Sequence, residues 1–265
     1  MQSNRRCFLK ASVLGVAGIV FAGNRTAFAA SELTEEERKL LSGFTWFKQS
    51  GFRILDGDKV IYFDPYQLTQ TIHDADVIFI SHSHGDHCDI ASIQRIIKDS
   101  TRIVTEPESA AKIASISSNV ITVSPGDTIT IDDYICEAVP SYNVNKTNHP
   151  KSKNYLGFIV TLRDGRRIYH AGDTDRISEM TGFNADVALL PCGGTYTMSA
   201  AEAAEAAKDI QPKLVVPMHY GAAVGSIRDA EQVRDLLAGV VPVVIMDEGQ
   251  TIDPLPTKIL NHAIY

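Results

Sequence analysis

Cysteine is sparse in this chain and shows no pattern. Cys7, Cys88, Cys136 and Cys192 are the four among 265 residues, and no two form a CxxC pair, which argues against a disulfide framework or a thiolate zinc site. With Cys7 set aside in the N-terminal stretch described below, three remain, and three cannot all pair within one chain. Cys88 and Cys192 adjoin polar motifs and are candidate pocket residues, with a buried spectator thiol as the expected state of each. Internal repeats and low-complexity segments are lacking too. Acidic residues are missing from the first thirty positions, where Arg5, Arg6, Lys10 and Arg25 carry all of the charge. The apolar run over residues 11–22 falls short of the roughly 20 residues that a membrane-spanning helix needs.

That acid-free segment holds Asn4-Arg5-Arg6-Cys7-Phe8-Leu9-Lys10, similar to a twin-arginine export signal, and Ala27-Phe28-Ala29, similar to a small-residue cleavage site. Residues 1–30 are therefore expected to be a signal peptide, taken up by the twin-arginine export machinery and removed. Residues 31–265 then form one domain, periplasmic or otherwise exported, with no stable membrane anchor. Taking those four basic residues from the 25 Lys and Arg leaves 21 against 32 Asp and Glu, a formal charge of −11. Such a net field repels phosphate backbones, so no nucleic-acid partner is expected.

What is present is a chain of short strands and helices. Thr34-Glu35-Glu36-Glu37 reads as a capping box that opens a helix. Strand composition follows over 44–48, 52–55 and 59–63, with Asp56-Gly57 marking a hairpin, and then over the fully apolar 77–80. Ile90, Ile93, Ile96 and Ile97 recur at helical spacing. Further strands are expected at 102–104, near 120 and 129, and at 135–139, 156–162 and 167–169, with a helix at 108–114. Alternation then sets in: strand 186–190, helix 200–208, strand 213–216, helix 227–237 and a closing strand at 243–246. Antiparallel runs ahead of each βα stretch fit two mixed sheets packed face to face with helices outside, an α/β class of fold.

The chemistry concentrates in Ser81-His82-Ser83-His84-Gly85-Asp86-His87, where three of the eight histidines and a carboxylate follow a buried strand. Neutral imidazole and carboxylate together suit first-row divalent ions. In extended backbone His82 and His84 project to the same side and can reach one ion, while Gly85 is expected to turn the chain and bring Asp86 and His87 to a second. Asp173, in Gly172-Asp173-Thr174-Asp175, is the candidate bridging carboxylate. His219, in Pro217-Met218-His219-Tyr220, follows an apolar strand and is the candidate that completes the second ion.

The order HSHGDH, GDTD, PMHY resembles the metallo-β-lactamase-fold hydrolase superfamily. The segments 61–65 and 189–198 extend the likeness to the branch of metal-dependent hydrolases related to ascorbate-phosphate lactonase and N-acyl-phosphatidylethanolamine phospholipase D. The resemblance implies an αββα sandwich with the metals at one edge of the sheets. It also implies His82 and His84 on the first ion, Asp86 and His87 on the second, Asp173 between them and His219 on the second. Related branches carry a histidine where Tyr142 and Asn143 stand here. His149 is the substitute ligand, with His170 as its competitor.

Two divalent ions, zinc by expectation with Mn2+ or Fe2+ as alternatives, can activate a bridging hydroxide for attack on an ester, lactone or phosphodiester, with Asp86 orienting it or accepting its proton. Gly193, Gly194 and Tyr196 are candidate pocket-lining residues, with a merely structural Gly-rich turn as the equal alternative. Lys146, Lys151 and Lys153 could draw an anionic group of a small-molecule substrate, although lysines clustered in a loop are ordinarily just solvated. Asp64 either fixes the tautomer of a ligating histidine or caps a turn as Asp64-Pro65, and His73 and His262 read as surface residues. An iron-dependent oxidoreductase of the same fold, or a non-catalytic binding protein that keeps the site, are the rival classes. No oligomeric state follows from the sequence.

Overall fold

The computed structural model describes residues 33–254, so the signal segment and His262 lie outside the described residues. Thr34 caps the first helix as its capping box requires, and α1 runs Glu35–Leu40. One sheet takes its six strands in sequence order: β1 Phe44–Trp46, β2 Phe52–Asp56, β3 Lys59–Phe63, β4 Val77–Phe79, β5 Arg102–Thr105 and β6 Val120–Thr122. The second runs from β12 back to β7, through β7 Thr128–Ile131, β8 Tyr134–Pro140, β9 Leu156–Thr161, β10 Arg167–His170, β11 Val187–Pro191 and β12 Leu214–Met218. Each sheet mixes an antiparallel half with a parallel half. The expected pair of mixed sheets is what the chain builds.

Alternation along the strands explains the layers. In β3, Ile61 and Phe63 face one apolar cluster while Val60 and Tyr62 face another. The first cluster fills the space between the sheets and beneath α4 (Ala200–Ile210) and α5 (Ile227–Leu236). The second lies beneath α2 (Ile90–Ile96) and α3 (Pro107–Ile113), where Ile93, Ile96 and Ile113 meet Ile78 and Ile103. Side chains two apart share a face, so a strand buried on both faces needs both sets apolar, and β4, β11 and β12 are buried at every position. Ala203, Ala204, Ala206 and Ala207 let α4 sit close on its sheet.

The closing strand at 243–246 does not form as expected. Val215 donates to Pro242 O and accepts from Val244 N, and the pairing stops at a single bridge between Val215 and Val243. The next residue of β12 facing that edge is Pro217, which has no N–H to continue the ladder. Among the described residues no helix is long and apolar enough to cross a membrane.

Candidate metal centre

The parallel strands end on one side of the sandwich and deliver the polar residues there. Asp64 follows β3, the histidine loop follows β4, Asp173 follows β10 and His219 follows β12, while the long loop after β8 carries His149. Rigid strand ends aim side chains better than free loops do.

The structure brings all seven candidate ligands together in three overlapping groups. His82, His84 and His149 form one, His82, His87 and Asp173 a second, and Asp86, His87 and His219 a third. In the first, His82 Nε2 and His149 Nε2 each lie 3.1 Å from His84 Nδ1. One nitrogen cannot exchange a single proton with both. Ligands held at about 2.0–2.1 Å around a tetrahedral ion sit about 3.3 Å apart, so this spacing fits a shared cation. In the third, Asp86 Oδ2 is 3.6 Å from both His87 Nε2 and His219 Nε2. Asp173 faces both groups: Oδ1 is 3.1 Å from His87 Nε2, and Oδ2 is 3.1 Å from His219 Nε2 and 3.4 Å from His149 Nε2. Yet His87 Nε2 and Asp173 Oδ1 are buried without a hydrogen-bond partner, close together but not aimed at each other. Buried polar atoms are rarely left so, and lone pairs converging on a common point suit a divalent ion.

The outer contacts fix which nitrogen each ring presents. Asp64 Oδ2 lies 2.7 Å from His87 Nδ1, and both Ser81 N and Ser81 Oγ donate to the same carboxylate. His149 Nδ1 is 3.0 Å from Asn143 Oδ1, and the Asn143 amide donates to Asp175 Oδ1 and Tyr196 O, so its oxygen must face His149. Each arrangement leaves Nε2 for the centre. His170 is elsewhere: it bonds Ser50 O at 2.8 Å and stacks on Phe63, so of the two competitors it is His149 that stands in the cluster. His73 sits at the surface, bonded to Ile97 O.

Charge divides the cluster in two. Burial, reinforced by the neighbouring His87, drives His82 well below its ordinary value, and burial likewise lowers His84 and His149. Burial also opposes a charge on His87 and His219, but Asp173 outweighs it, together with Asp64 for His87 and Asp86 for His219. His87 is held well above its usual value and His219 is pushed up to about 9. Asp173, despite complete burial, is kept far below the carboxylate range by those two histidines.

Around the site one expectation fails and several open alternatives are decided. Gly85 does not adopt a left-handed backbone, and a Cβ there would meet nothing within 4 Å, so the turn from His84 to Cys88 is made by ordinary bonds to His84 O. Gly193 is required sterically, since its Cβ would come within 2.4 Å of His219 O, which makes that turn a packing feature beside the site. Lys146, Lys151 and Lys153 are tied to Asp175, Glu179 and Glu108, so their charge is already neutralised by this chain's own carboxylates. Cys88, Cys136 and Cys192 are free and buried, and burial pushes the Cys88 thiol up to about 11, as suits a spectator. Sequence reasoning missed Gln49 altogether. It is a lone amide between two strands, yet its Nε2 lies 2.9 Å from Asp86 Oδ2 and 3.0 Å from His219 Nε2.

Two facing sheets with a His/Asp cluster at the strand ends define the metallo-β-lactamase class of fold. Residues 43–219 match the model of the Beta-lactamase superfamily domain, and the chain belongs to that family. It is 35% identical over 215 residues to the UPF0173 metal-dependent hydrolase of Thermococcus kodakarensis, covering 76% of this chain and 94% of that protein. A crystal structure from Parabacteroides distasonis, assigned as a metal-dependent hydrolase, is 31% identical with a TM-score of 0.67 and covers 77% of this chain and 92% of its own. The metallo hydrolase of Ignicoccus hospitalis is 26% identical with a TM-score of 0.64, covering 78% and 96%. The chain stands among the metal-dependent hydrolases of its superfamily.

Proposed function

We propose that this protein is an exported hydrolase that holds two divalent ions and cleaves an ester, lactone or phosphodiester in a small molecule. The observation that carries the reading is Asp173, one buried carboxylate with an oxygen 3.1 Å from a histidine of the Asp86 group and another 3.4 Å from a histidine of the first. His82, His84 and His149 would hold one ion, and Asp86, His87 and His219 the other, with Asp173 common to both. Bound there, divalent ions supply the Lewis acidity that activates water and polarises the bond under attack. Asp86, its side chain 25% exposed against 4% for Asp173, is the carboxylate at the mouth and orients the attacking water. Tyr196, half exposed and joined through its carbonyl to His149 and Asn143, borders the entrance. Export rests on Arg5-Arg6 and the acid-free segment around them.

The test begins with the mature protein recovered from a periplasmic extract. It is stripped of metal and assayed on ester, lactone and phosphodiester substrates after reloading with Zn2+, Mn2+ or Fe2+. Hydrolysis restored by an ion supports the reading. Full metal load with no hydrolysis favours a binding protein, an iron-loaded chain that changes colour on oxidation favours redox chemistry, and retention in the cytoplasm refutes export.

The charge division predicts different pH behaviour for the two positions. His82, His84 and His149 are already neutral at pH 7, so the first ion displaces no proton and its affinity stays level from pH 7 to 9. A raised histidine keeps its proton until the pH passes its folded value, so the second ion must displace protons from His219 and His87. Its affinity therefore rises by about tenfold per pH unit for each proton displaced. Competition titrations at pH 7, 8 and 9 check this, and two positions with the same pH slope would contradict it.

A further inference from the structure

We propose that Gln49 is a ligand of the second ion through its side-chain carbonyl, giving that position an amide oxygen besides Asp86, His87, His219 and Asp173. The inference rests on the reading that an ion sits among those residues, and it goes beyond it by adding a ligand type that the motifs do not contain.

Gln49 is fully buried and holds a left-handed backbone at φ 52°, a conformation that a long side chain rarely adopts. Asp64 at 39° and His219 at 57° share that feature around the same cluster. Backbone strain of this kind persists only where the surroundings enforce it. Here Gln49 O accepts from Trp46 Nε1 at 3.1 Å and from His219 N at 2.9 Å, so the residue is locked to the strand end that carries His219.

Neither orientation of the side-chain amide pairs all of its polar atoms. With its nitrogen toward the site, the amide meets Asp86 Oδ2 at 2.9 Å and His219 Nε2 at 3.0 Å, the latter itself 3.1 Å from Asp173 Oδ2. Gln49 Oε1 and His219 Nδ1 are meanwhile buried with no partner. Rotating the amide by half a turn lets its oxygen accept from His219, yet sets that oxygen 2.9 Å from the Asp86 carboxylate, lone pair against lone pair. A cation between them satisfies the amide oxygen, Asp86 and His219 at once. Distances of 2.9 and 3.0 Å are too long for metal–ligand bonds. They are what two ligands at right angles, each about 2.1 Å from an ion, would show. An amide carbonyl is a hard, uncharged donor, so the second position is suited to a divalent ion that takes five or six ligands, in contrast to the three-imidazole first position.

The experiment titrates stripped wild-type, Gln49→Ala and Gln49→Glu full-length mature protein with Mn2+ and with Zn2+, following both binding steps by calorimetry and the Mn2+ spectrum by electron paramagnetic resonance. Gln49→Ala is expected to weaken the second step about tenfold and leave the first unchanged. Gln49→Glu, the same shape with a charged oxygen, is expected to tighten the second step at least tenfold and alter the Mn2+ spectrum. Were Gln49 only a hydrogen-bond donor to Asp86, the Gln49→Glu change would place two carboxylates together and weaken the second step instead. That result, or two unchanged titrations, overturns the proposal. If Gln49→Ala fails to fold, the sign of the Gln49→Glu effect still decides. A wild-type protein with one binding step removes the two-ion reading itself, a separate failure visible before any variant is made.

Discussion

Asp173→Asn is expected to reduce bound metal below one ion per chain and to lower hydrolysis by about 10³-fold or more, the loss of roughly 4 kcal/mol of electrostatic stabilisation. The substitution preserves the shape of a side chain that is only 4% exposed and removes only its charge. Both ligand groups lose their common anion, because Asp173 is within 3.4 Å of His87, His219 and His149. In the ion-free protein His87 and His219 also lose the group that holds their protons, and breaking a buried charge cluster from one side costs about 3–5 kcal/mol. Metal analysis and thermal unfolding of the stripped protein measure the two effects separately. A variant that retains two ions would show that Asp173 is not shared.

Asp64→Asn should act chiefly on the second position. Both carboxylate oxygens of Asp64 are engaged by donors, Oδ1 by Ser81 N at 2.7 Å and Oδ2 by Ser81 Oγ at 2.6 Å, with His87 Nδ1 at 2.7 Å. An amide must turn its NH2 toward one of these. Facing Ser81 N it leaves two buried donors in contact, costing about 1–3 kcal/mol. Facing His87 it forces the proton onto Nε2, the nitrogen aimed at the centre. Loss of such an outer contact typically weakens metal binding about 10–100-fold, so the second step should weaken by that factor, and the first, reached only through Ser81 Oγ beside His82 Nδ1, should weaken less. Equal weakening of both steps would mean that Asp64 only supports the fold.

Sequence legibility followed locality. The histidine loop is contiguous and stands directly after β4, so its donors could be read without folding the chain. Asp173 and His219 were legible because each follows a strand, and the uniformly apolar 77–80 showed that β4 is buried on both faces. Gln49 and the hold of Asn143 on His149 were not legible, because a single amide in a loop acquires a role only when distant strands bring it to a partner. The strand expected at 243–246 has the right composition, but its pairing is decided by Pro217 on another element. The turn at Gly85 was over-read from residue type, since glycine permits a left-handed bend without requiring one.

The central claim is a pair of cations sharing Asp173. Anomalous diffraction from crystals of the mature protein soaked in Mn2+ or Zn2+ tests it most directly. Two peaks about 3.5–4 Å apart, one among His82, His84 and His149 and the other among Asp86, His87 and His219, are the expected result. A single peak at full soak, or peaks away from Asp173, would contradict it.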